Sequence, residues 1–339
     1  MKNPRRYDAM IGTGGIGTGT FFALSGNHTL GREESRGGRF LDRRDYCKLH
    51  IISHYVQRLA GGDFKTLPVG KVGDDPAGRR LLEEMRAEGL DLSLTSVVPG
   101  GQTLDCICLL YPDGSGGNLT VTDSASGQVM PEDVQKASPW FEKHASRGIA
   151  LAVPEVPLPA RRELLKLAGE HGFLRAASFS SGEMEEVRES SLLSLVDLLA
   201  INLDEAASLA ETIAEGDAEA IVTRIAATFG RQFPHLKLSI TAGALGSWTV
   251  DGGVIHFIAT PKVEVRSAAG AGDAHFSGIL AGLAAGMALE DAQWVGILAG
   301  AMSVTSPHTI DPGIDRRALR VFAAEQGLVL PPAVLDFLQ

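Results

Sequence analysis

A glycine-rich turn with an acidic residue carries the clearest chemical signal in this chain of 339 residues. Gly270, Ala271 and Gly272 precede an apolar stretch with the character of a helix, and Asp273 stands in the same turn. The first backbone N–H groups of a helix lack intrahelical acceptors and lie at the positive end of its dipole, so they can bind a phosphate. A carboxylate would repel that anion, and we expect Asp273 to take a proton from a group that attacks it. The turn therefore predicts phosphoryl transfer to a hydroxyl.

The residues on either side of the turn support this interpretation. Val263 and Val265 suggest a strand before it, and an apolar run from Ile279 to Leu289 follows. Without these flanks, an early-helix aspartate that matches the helix dipole is the simpler explanation. With them, the stretch resembles the second signature of the ribokinase-like (PfkB-type) carbohydrate kinases, usually D-T-T-G-A-G-D-A-F. The resemblance implies that residues 270–272 form an anion hole and that Asp273 is the catalytic base.

A second segment resembles the magnesium-linked N-x-x-E motif of the same family. Asn202-Leu203-Asp204-Glu205 follows an apolar strand and opens a helix. The resemblance implies that Asn202 and Glu205 hold Mg²⁺, which prefers oxygen ligands and usually keeps some of its water. The alternative is a helix cap, in which the two side chains form a capping box.

The segment Ser239–Ser247 has the order strand, glycine turn, strand. It resembles the family segment whose turn lies against the phosphates and ribose of the nucleotide. The resemblance therefore makes Thr241, Gly243 and Gly246 candidate contacts of ATP. An ordinary hairpin, in which the glycines supply positive φ angles, explains the same residues.

The acceptor site departs from the family pattern. Sugar kinases of this type carry an Asp after the first strand and a G-G-x-x-x-N motif before the first helix. Here these positions read Gly14-Gly15-Ile16-Gly17-Thr18 and Asp45-Tyr46-Cys47-Lys48-Leu49-His50. We therefore expect an acceptor other than a simple hexose or pentose held in the usual way, with Lys48 and His50 contacting a charged or heterocyclic group. Exposed first-turn positions of a helix are the alternative for both. Asn118 is a further candidate substrate contact.

The order of elements predicts an α/β fold. From Gly148 onward, short apolar strands alternate with amphipathic helices, which is typical of a parallel sheet covered on both faces. Residues 18–45 and 103–123 break this alternation, and we expect them to pair as a small β lid, as the resemblance also implies. The prediction is one ribokinase-like domain over residues 1–339, with a doubly wound, mostly parallel sheet flanked by helices and a small β lid.

Composition limits the partners and the location. A net charge of −10 and a pI near 5.4 argue against nucleic acid and against an anionic membrane as partners. No apolar signal segment follows the first ten residues, and the tract Phe276–Leu289 is too short to span a bilayer, so we predict a cytoplasmic protein. Exposed lid strands would allow a homodimer.

The three cysteines are expected to be free thiols in a reducing compartment. They are Cys47, Cys106 and Cys108, and no pair has the sequence neighbours of a metal site. We do not expect Cys106 and Cys108 to face one common partner.

Two other functions compete with a kinase. Gly12-x-Gly14-x-x-Gly17 satisfies the dinucleotide fingerprint of an NAD(P)-dependent oxidoreductase, but Gly26-Asn27 would end the required helix too early. The missing sugar motifs favour a non-catalytic, small-molecule-binding relative, whereas Asp273 favours an enzyme, because a sensor needs no base. We predict a kinase that uses ATP and Mg²⁺ and phosphorylates a hydroxyl of a sugar, a sugar-like or a nucleoside-like metabolite.

Overall fold

The computed structural model describes residues 5–42, 44–113, 116–211 and 217–339. Residues 43 and 114–115, which belong to the two predicted lid segments, lie outside this part. The described residues form these strands, in chain order: β1 (Ala9–Thr13), β2 (Gly17–Leu24), β3 (Gly38–Phe40), β4 (Asp45–Tyr46), β5 (Lys65–Gly73), β6 (Thr95–Val98), β7 (Leu104–Leu110), β8 (Gly116–Thr120), β9 (Gly148–Ala152), β10 (Leu174–Ser178), β11 (Leu198–Asn202), β12 (Lys237–Thr241), β13 (Gly246–Asp251) and β14 (Val254–Ala259).

The α-helices of the same residues are α1 (Lys48–Ala60), α2 (Pro76–Ala87), α3 (Pro131–Gln135), α4 (Ser138–Lys143), α5 (Leu158–Glu170), α6 (Met184–Glu189), α7 (Leu203–Leu209), α8 (Ala218–Gln232), α9 (Ala271–Ala284), α10 (Leu289–Ser303), α11 (Arg316–Glu325) and α12 (Pro332–Phe337). Among the described helices, none combines the length and the apolar content that crossing a bilayer requires.

The larger sheet has nine strands in the order β14-β13-β12-β11-β10-β9-β1-β5-β6. The strands from β12 to β6 run parallel, and β13 and β14 add an antiparallel edge. Alternate residues of β1 point to opposite faces. Met10 belongs to the apolar cluster that includes residues of α1, α2 and α9, whereas Ile11 belongs to the cluster that includes residues of α5, α7 and α8. The chain moves outward from β1 to β6 and then from β9 to β12, so the strand order reverses between β1 and β9. Ligands of such sheets bind at this reversal.

The smaller sheet has the order β3-β2-β7-β8, and β4 also pairs with β2. β2 and β7 are parallel, whereas the other pairs are antiparallel. The predicted fold class, a doubly wound and mostly parallel sheet with a small second sheet, is confirmed. Because Gly17–Leu24 is a strand, the G-x-G-x-x-G sequence lacks the helix that a dinucleotide site needs.

The predicted strand around Val265, directly before the glycine turn, is wrong. β14 ends at Ala259, and the segment from there to the turn contains no strand. The backbone N–H groups of Arg266 and Ser267 instead donate to the carbonyl oxygen of Val304, at 2.7 and 3.2 Å. The end of α10, and not a neighbouring strand, therefore holds the segment that leads into α9.

The helices α9 and α10 pack with their backbones in close contact. A Cβ atom on Gly278 would lie 2.6 Å from the carbonyl oxygen of Val295, and one on Gly296 would lie 2.8 Å from that of His275. Glycine at both positions lets the helices approach this closely. The contact fixes α9, and with it the turn that begins this helix, against the rest of the fold.

We expect Gly278→Ala to destabilise the protein by about 1–3 kcal/mol, because the new methyl group must push α9 away from α10. Gly230→Ala in α8 is the matched control. Its Cβ would meet nothing within 4 Å, and the higher helix propensity of alanine should leave stability unchanged or raise it by about 1 kcal/mol. Urea denaturation of both variants measures the difference, and equal stability would contradict the packing argument.

Candidate active site

A narrow cleft of about 100 Å³ lies beyond the carboxyl ends of three parallel strands. Ser178, Asn202 and Thr241 are the last residues of β10, β11 and β12, and all three line the cleft. Gly272 and Asp273, in the first turn of α9, line it as well. Parallel strands end at one edge of the sheet, so segments far apart in sequence meet there.

Buried polar atoms without partners indicate that this cleft is built for a polar ligand. In the described residues, the hydroxyl groups of Ser178 and Ser239 and Nδ1 of His275 are buried and lack a hydrogen bond, and all three residues line the cleft. Burial lowers the pKa of His275 to about 4, so its ring stays neutral near pH 7. Unpaired buried groups cost free energy, which a bound ligand with hydrogen-bonding atoms can offset.

The glycine turn has the backbone of an anion site. Gly270 has a φ of 78°, and a Cβ on it would lie 3.0 Å from the carbonyl oxygen of Thr309, so glycine is needed here. The N–H of Ala271 donates within the turn, at 3.3 Å. In the part of the chain that the structure describes, no backbone carbonyl accepts from the N–H groups of Gly272 and Asp273. These two amides are the free donors at the positive end of α9.

Asp273 forms an ion pair with Lys48, the first residue of α1. The distance from Nζ of Lys48 to Oδ1 of Asp273 is 3.1 Å. The charge of Asp273 raises the pKa of Lys48 far above its ordinary value, so the ammonium keeps its proton. The Asp273 side chain is 14% exposed and that of Lys48 38%, which leaves the pair accessible from the cleft.

A wider part of the cleft, about 360 Å³, lies between the turn of α9 and the smaller sheet. Lys48 and Asp273 line both parts, so the ion pair stands where they meet. Asn118 lies on β8 at the rim of the wider part, with its Oδ1 3.8 Å from Sγ of Cys108. The structure thus brings Lys48, Asp273 and Asn118 to one cavity.

Glu155 is a charged group at this site that the sequence patterns did not single out. It follows β9 where the strand order reverses, and its Oε2 accepts the backbone N–H of Lys48 at 3.3 Å. Its φ of 77° is strained for a residue with a side chain, and Gly15 leaves it room, since a Cβ there would meet Glu155 Oε2 at 2.4 Å. The signal available in the sequence was an acidic residue three positions after a fully buried strand.

Asn202 and Glu205 form the capping box that was the alternative to a magnesium site. Oδ1 of Asn202 accepts the N–H of Glu205 at 2.8 Å, and Oε2 of Glu205 accepts the N–H of Asn202 at 2.9 Å. The second oxygen of Glu205 lies 3.4 Å from the hydroxyl of Ser181. Burial raises the pKa of Glu205. Both side chains line the narrow cleft, so the cap and the cleft share them.

The turn between β12 and β13 is a hairpin. The N–H of Ala242 donates to the carbonyl oxygen of Gly246 at 2.9 Å, and Gly243 and Gly246 have φ angles of 54° and 146°. A Cβ on Gly243 would meet nothing within 4 Å, so this glycine is open to its surroundings. Thr241 lines the narrow cleft, and Gly243 and Gly246 lie in the turn that follows it.

His50 is not brought to the cleft, and it is not an exposed first-turn residue either. Its side chain is fully buried in α1, with Nε2 at 2.9 Å from Oε2 of Glu88 and the ring edge against Tyr46. Burial of Glu88 opposes its ionisation, but its contacts with His50 and His54 hold its pKa at about 2. The group is a buried polar contact between α1 and the end of α2.

Comparison with known proteins gives matches over most of the chain. A family model described as "pfkB family carbohydrate kinase" matches residues 52–316, which include the 270–273 turn. A fructokinase of Klebsiella pneumoniae is 30% identical over 243 residues, 68% of this chain and 74% of that protein.

Two solved structures illustrate the shared fold. Ribokinase from Cryptococcus neoformans in complex with ADP has a TM-score of 0.77 at 19% identity, and the match covers 93% of this chain and 99% of that one. Adenosine kinase from Sinorhizobium meliloti has a TM-score of 0.73 at 21% identity and covers 95% and 99%.

The half-buried carboxyl group of Glu155 should make stability depend on pH. Burial raises its pKa from 4.5 to about 7, although the Lys48 charge opposes the rise. Between these values the folded protein holds a proton that the unfolded chain has lost, so the contribution of Glu155 to stability falls as the pH rises. Glu155→Gln lacks this titration, and its Tm relative to wild type should increase between pH 4.5 and 7 and then level off.

Thermal denaturation over this pH range measures the difference. Glu83→Gln, on the exposed side of α2, is the matched control. A Tm difference between Glu155→Gln and wild type that stays constant across the range would contradict the raised pKa.

Proposed function

Because the chain belongs to the pfkB family of carbohydrate kinases and is a phosphotransferase that acts on an alcohol group, we propose that it transfers the γ-phosphoryl group of ATP to a hydroxyl of a sugar, a sugar-like or a nucleoside-like metabolite. The position of Asp273 is the observation that carries this proposal. Its carboxylate lies at the junction of the narrow and wide parts of the cleft, beside the free amides of α9.

In the proposed reaction, Asp273 accepts the proton of the acceptor hydroxyl while the hydroxyl oxygen attacks the γ-phosphorus. The bond between this phosphorus and the bridging oxygen of the leaving diphosphate breaks in the same displacement. The N–H groups of Gly272 and Asp273 donate to the equatorial oxygens of the transferring group, and Gly270 and Ala271 hold the turn that presents them. Both donors are fixed by the helix before substrate arrives, so no reorganisation is needed when charge develops.

The narrow part of the cleft is the proposed nucleotide side. Thr241 lines it, and the hairpin turn that contains Gly243 and Gly246 follows directly. We assign this turn to the phosphates and ribose of ATP. Asn202 and Glu205 supply the oxygen donors that suit Mg²⁺, and one oxygen of Glu205 is not used by the helix cap. Held through water by these two residues, Mg²⁺ would offset the negative charge of the phosphates.

The wide part of the cleft is the proposed acceptor side. Lys48 leaves Asp273 when the acceptor hydroxyl binds, and its ammonium then faces the acceptor or the transferring phosphoryl group. Glu155 offers a carboxylate that accepts hydrogen bonds from acceptor hydroxyls, and Asn118 lies at the rim. The relatives name fructose, ribose and adenosine as the acceptors to test first, although the segments 14–18 and 45–50 lack the usual sugar residues.

A homodimer through the smaller sheet and a cytoplasmic location remain proposals. Ile107 and Leu119 are opposite each other in the β7–β8 register, and 44% and 59% of their surfaces are exposed. Phe40, on β3, is 70% exposed. Covering these side chains in a second copy would remove apolar surface and open strand edges from water.

Replacing the proposed base tests the mechanism. Asp273→Asn should lower kcat by about 10²–10⁴-fold, because asparagine cannot accept the proton, whereas binding of ATP should persist. Consumption of ATP with fructose, ribose and adenosine measures turnover, and calorimetry with ATP measures binding. Asp291→Asn is the matched control, since Asp291 is an acidic residue in the first turn of α10 away from the cleft. Equal turnover by Asp273→Asn and wild type would refute the role of Asp273.

Replacing Lys48 tests the assignment of the acceptor side. Loss of a charged hydrogen bond costs about 1.5–3 kcal/mol, so Lys48→Ala should raise the KM for the acceptor by about 10–100-fold and leave the KM for ATP nearly unchanged. Lys65→Ala, at the exposed start of β5, is the control. An unchanged acceptor KM in steady-state kinetics would remove Lys48 from the acceptor site.

A further inference from the structure

All three cysteines of the chain lie around one buried carboxylate, that of Asp45. Sγ of Cys108 is 3.1 Å and Sγ of Cys106 is 3.4 Å from Oδ2 of Asp45. Cys47, the residue before α1, contacts Cys106. The expectation that Cys106 and Cys108 do not share a partner is therefore wrong. Successive side chains of a strand alternate between its faces, so two residues separated by one on β7 point the same way.

The carboxylate of Asp45 is buried, with only 6% of the residue exposed. The ion pairs found among the described residues do not include it, and its neighbours are the two thiols and the hydroxyl of Thr309. A buried carboxylate is normally paired with a cation or bound to a metal ion, because an isolated buried charge is costly.

The spacing of the side chains fits a metal ion. One oxygen of Asp45 and the sulfur atoms of Cys106 and Cys108 all lie within 4.8 Å of one another. Bonds of about 2.3 Å to sulfur and about 2.0–2.2 Å to oxygen, as for Zn²⁺, place tetrahedral ligands somewhat less than about 4 Å apart. Gly19 of β2 keeps this group compact, since a Cβ there would lie 2.4 Å from Oδ2 of Asp45 and 2.6 Å from Sγ of Cys106.

We propose that Asp45, Cys106 and Cys108 bind a thiophilic divalent cation, best matched by Zn²⁺, with a fourth coordination position open to the wide part of the cleft. Two sulfur ligands favour Zn²⁺ over Mg²⁺, which takes oxygen. All three ligands line that cavity, so water or a bound molecule can complete the tetrahedron. Each thiol that binds releases its proton to solvent.

The proposed ion connects two strands of the smaller sheet that are not neighbours. Asp45 lies on β4, directly before α1, whereas Cys106 and Cys108 lie on β7, and β2 pairs with both strands. A metal ion bound to all three would hold β7 to the strand that leads into α1, next to Lys48. The site does not depend on the proposed kinase activity, because metal binding is measured without substrate.

Cobalt(II) titration of the purified protein, after removal of metals by a chelator, tests the site. Wild type should bind one Co²⁺ per chain with sulfur-to-cobalt charge-transfer absorption and the intense visible bands of tetrahedral cobalt, and Zn²⁺ should displace it. Replacing a residue that contacts a metal's ligands typically lowers metal affinity about 10–100-fold. Replacing a proposed ligand itself, in Cys106→Ser, Cys108→Ser or Asp45→Asn, should lower the affinity for Co²⁺ by more than this. His54→Ala is the control, because the His50–Glu88–His54 group is the rival metal-binding cluster.

A second measurement uses the unchanged chain and so avoids misfolded variants. Zn²⁺ should slow the alkylation of Cys106 and Cys108 by iodoacetamide, which mass spectrometry measures. Zn²⁺ should also raise the Tm of wild type. The proposal is overturned if wild type binds neither Co²⁺ nor Zn²⁺. It is also overturned if the sulfur-to-cobalt absorption persists unchanged in both single variants, Cys106→Ser and Cys108→Ser. It is also overturned if His54→Ala, correctly folded by circular dichroism, loses the bound metal.

Discussion

The close backbone contact between α9 and α10 is the constraint on which the site depends. Glycine at positions 278 and 296 lets the two helices touch, and the end of α10 also holds the segment that enters the glycine turn. The first turn of α9 therefore has one position relative to the strand ends. Free amides and a carboxylate are useful for phosphoryl transfer only when they are held at a fixed distance from the phosphate. The packing of α9 against α10, away from the cleft, fixes this distance.

The ion pair between Lys48 and Asp273 joins the two halves of this arrangement. It links the start of α1 to the start of α9, and it stands between the narrow part of the cleft and the wide part. In the proposed mechanism, the acceptor hydroxyl takes the position beside Asp273 that the ammonium occupies in this structure. Glu155 adds a second carboxyl group beside the same lysine, held by a strained backbone.

The fold and the glycine turn could be predicted because they depend on local patterns. Apolar strands that alternate with helices specify a parallel sheet, and the 270–273 turn combines helix-start glycines with an acidic residue. Glu155 could not be predicted in the same way, because its role depends on a strand order that brings β9 beside β1. The burial of His50 and the convergence of Cys106 and Cys108 on Asp45 likewise depend on contacts between segments that are far apart in the sequence. The valines before the turn suggested a strand, but the carbonyl of Val304 takes the N–H groups that a strand would need.

Lys48 has an electrostatic property that follows from its place as the first residue of α1. A positive charge at the amino end of a helix is repelled by the helix dipole, since the free N–H groups there are themselves positive. No acidic residue in the first turn of α1 offsets this repulsion. Once displaced from Asp273, the ammonium gains by moving away from its own helix toward any nearby anion. In the proposed mechanism, the sequence of α1 therefore favours movement of this lysine toward the negative charge of the phosphates.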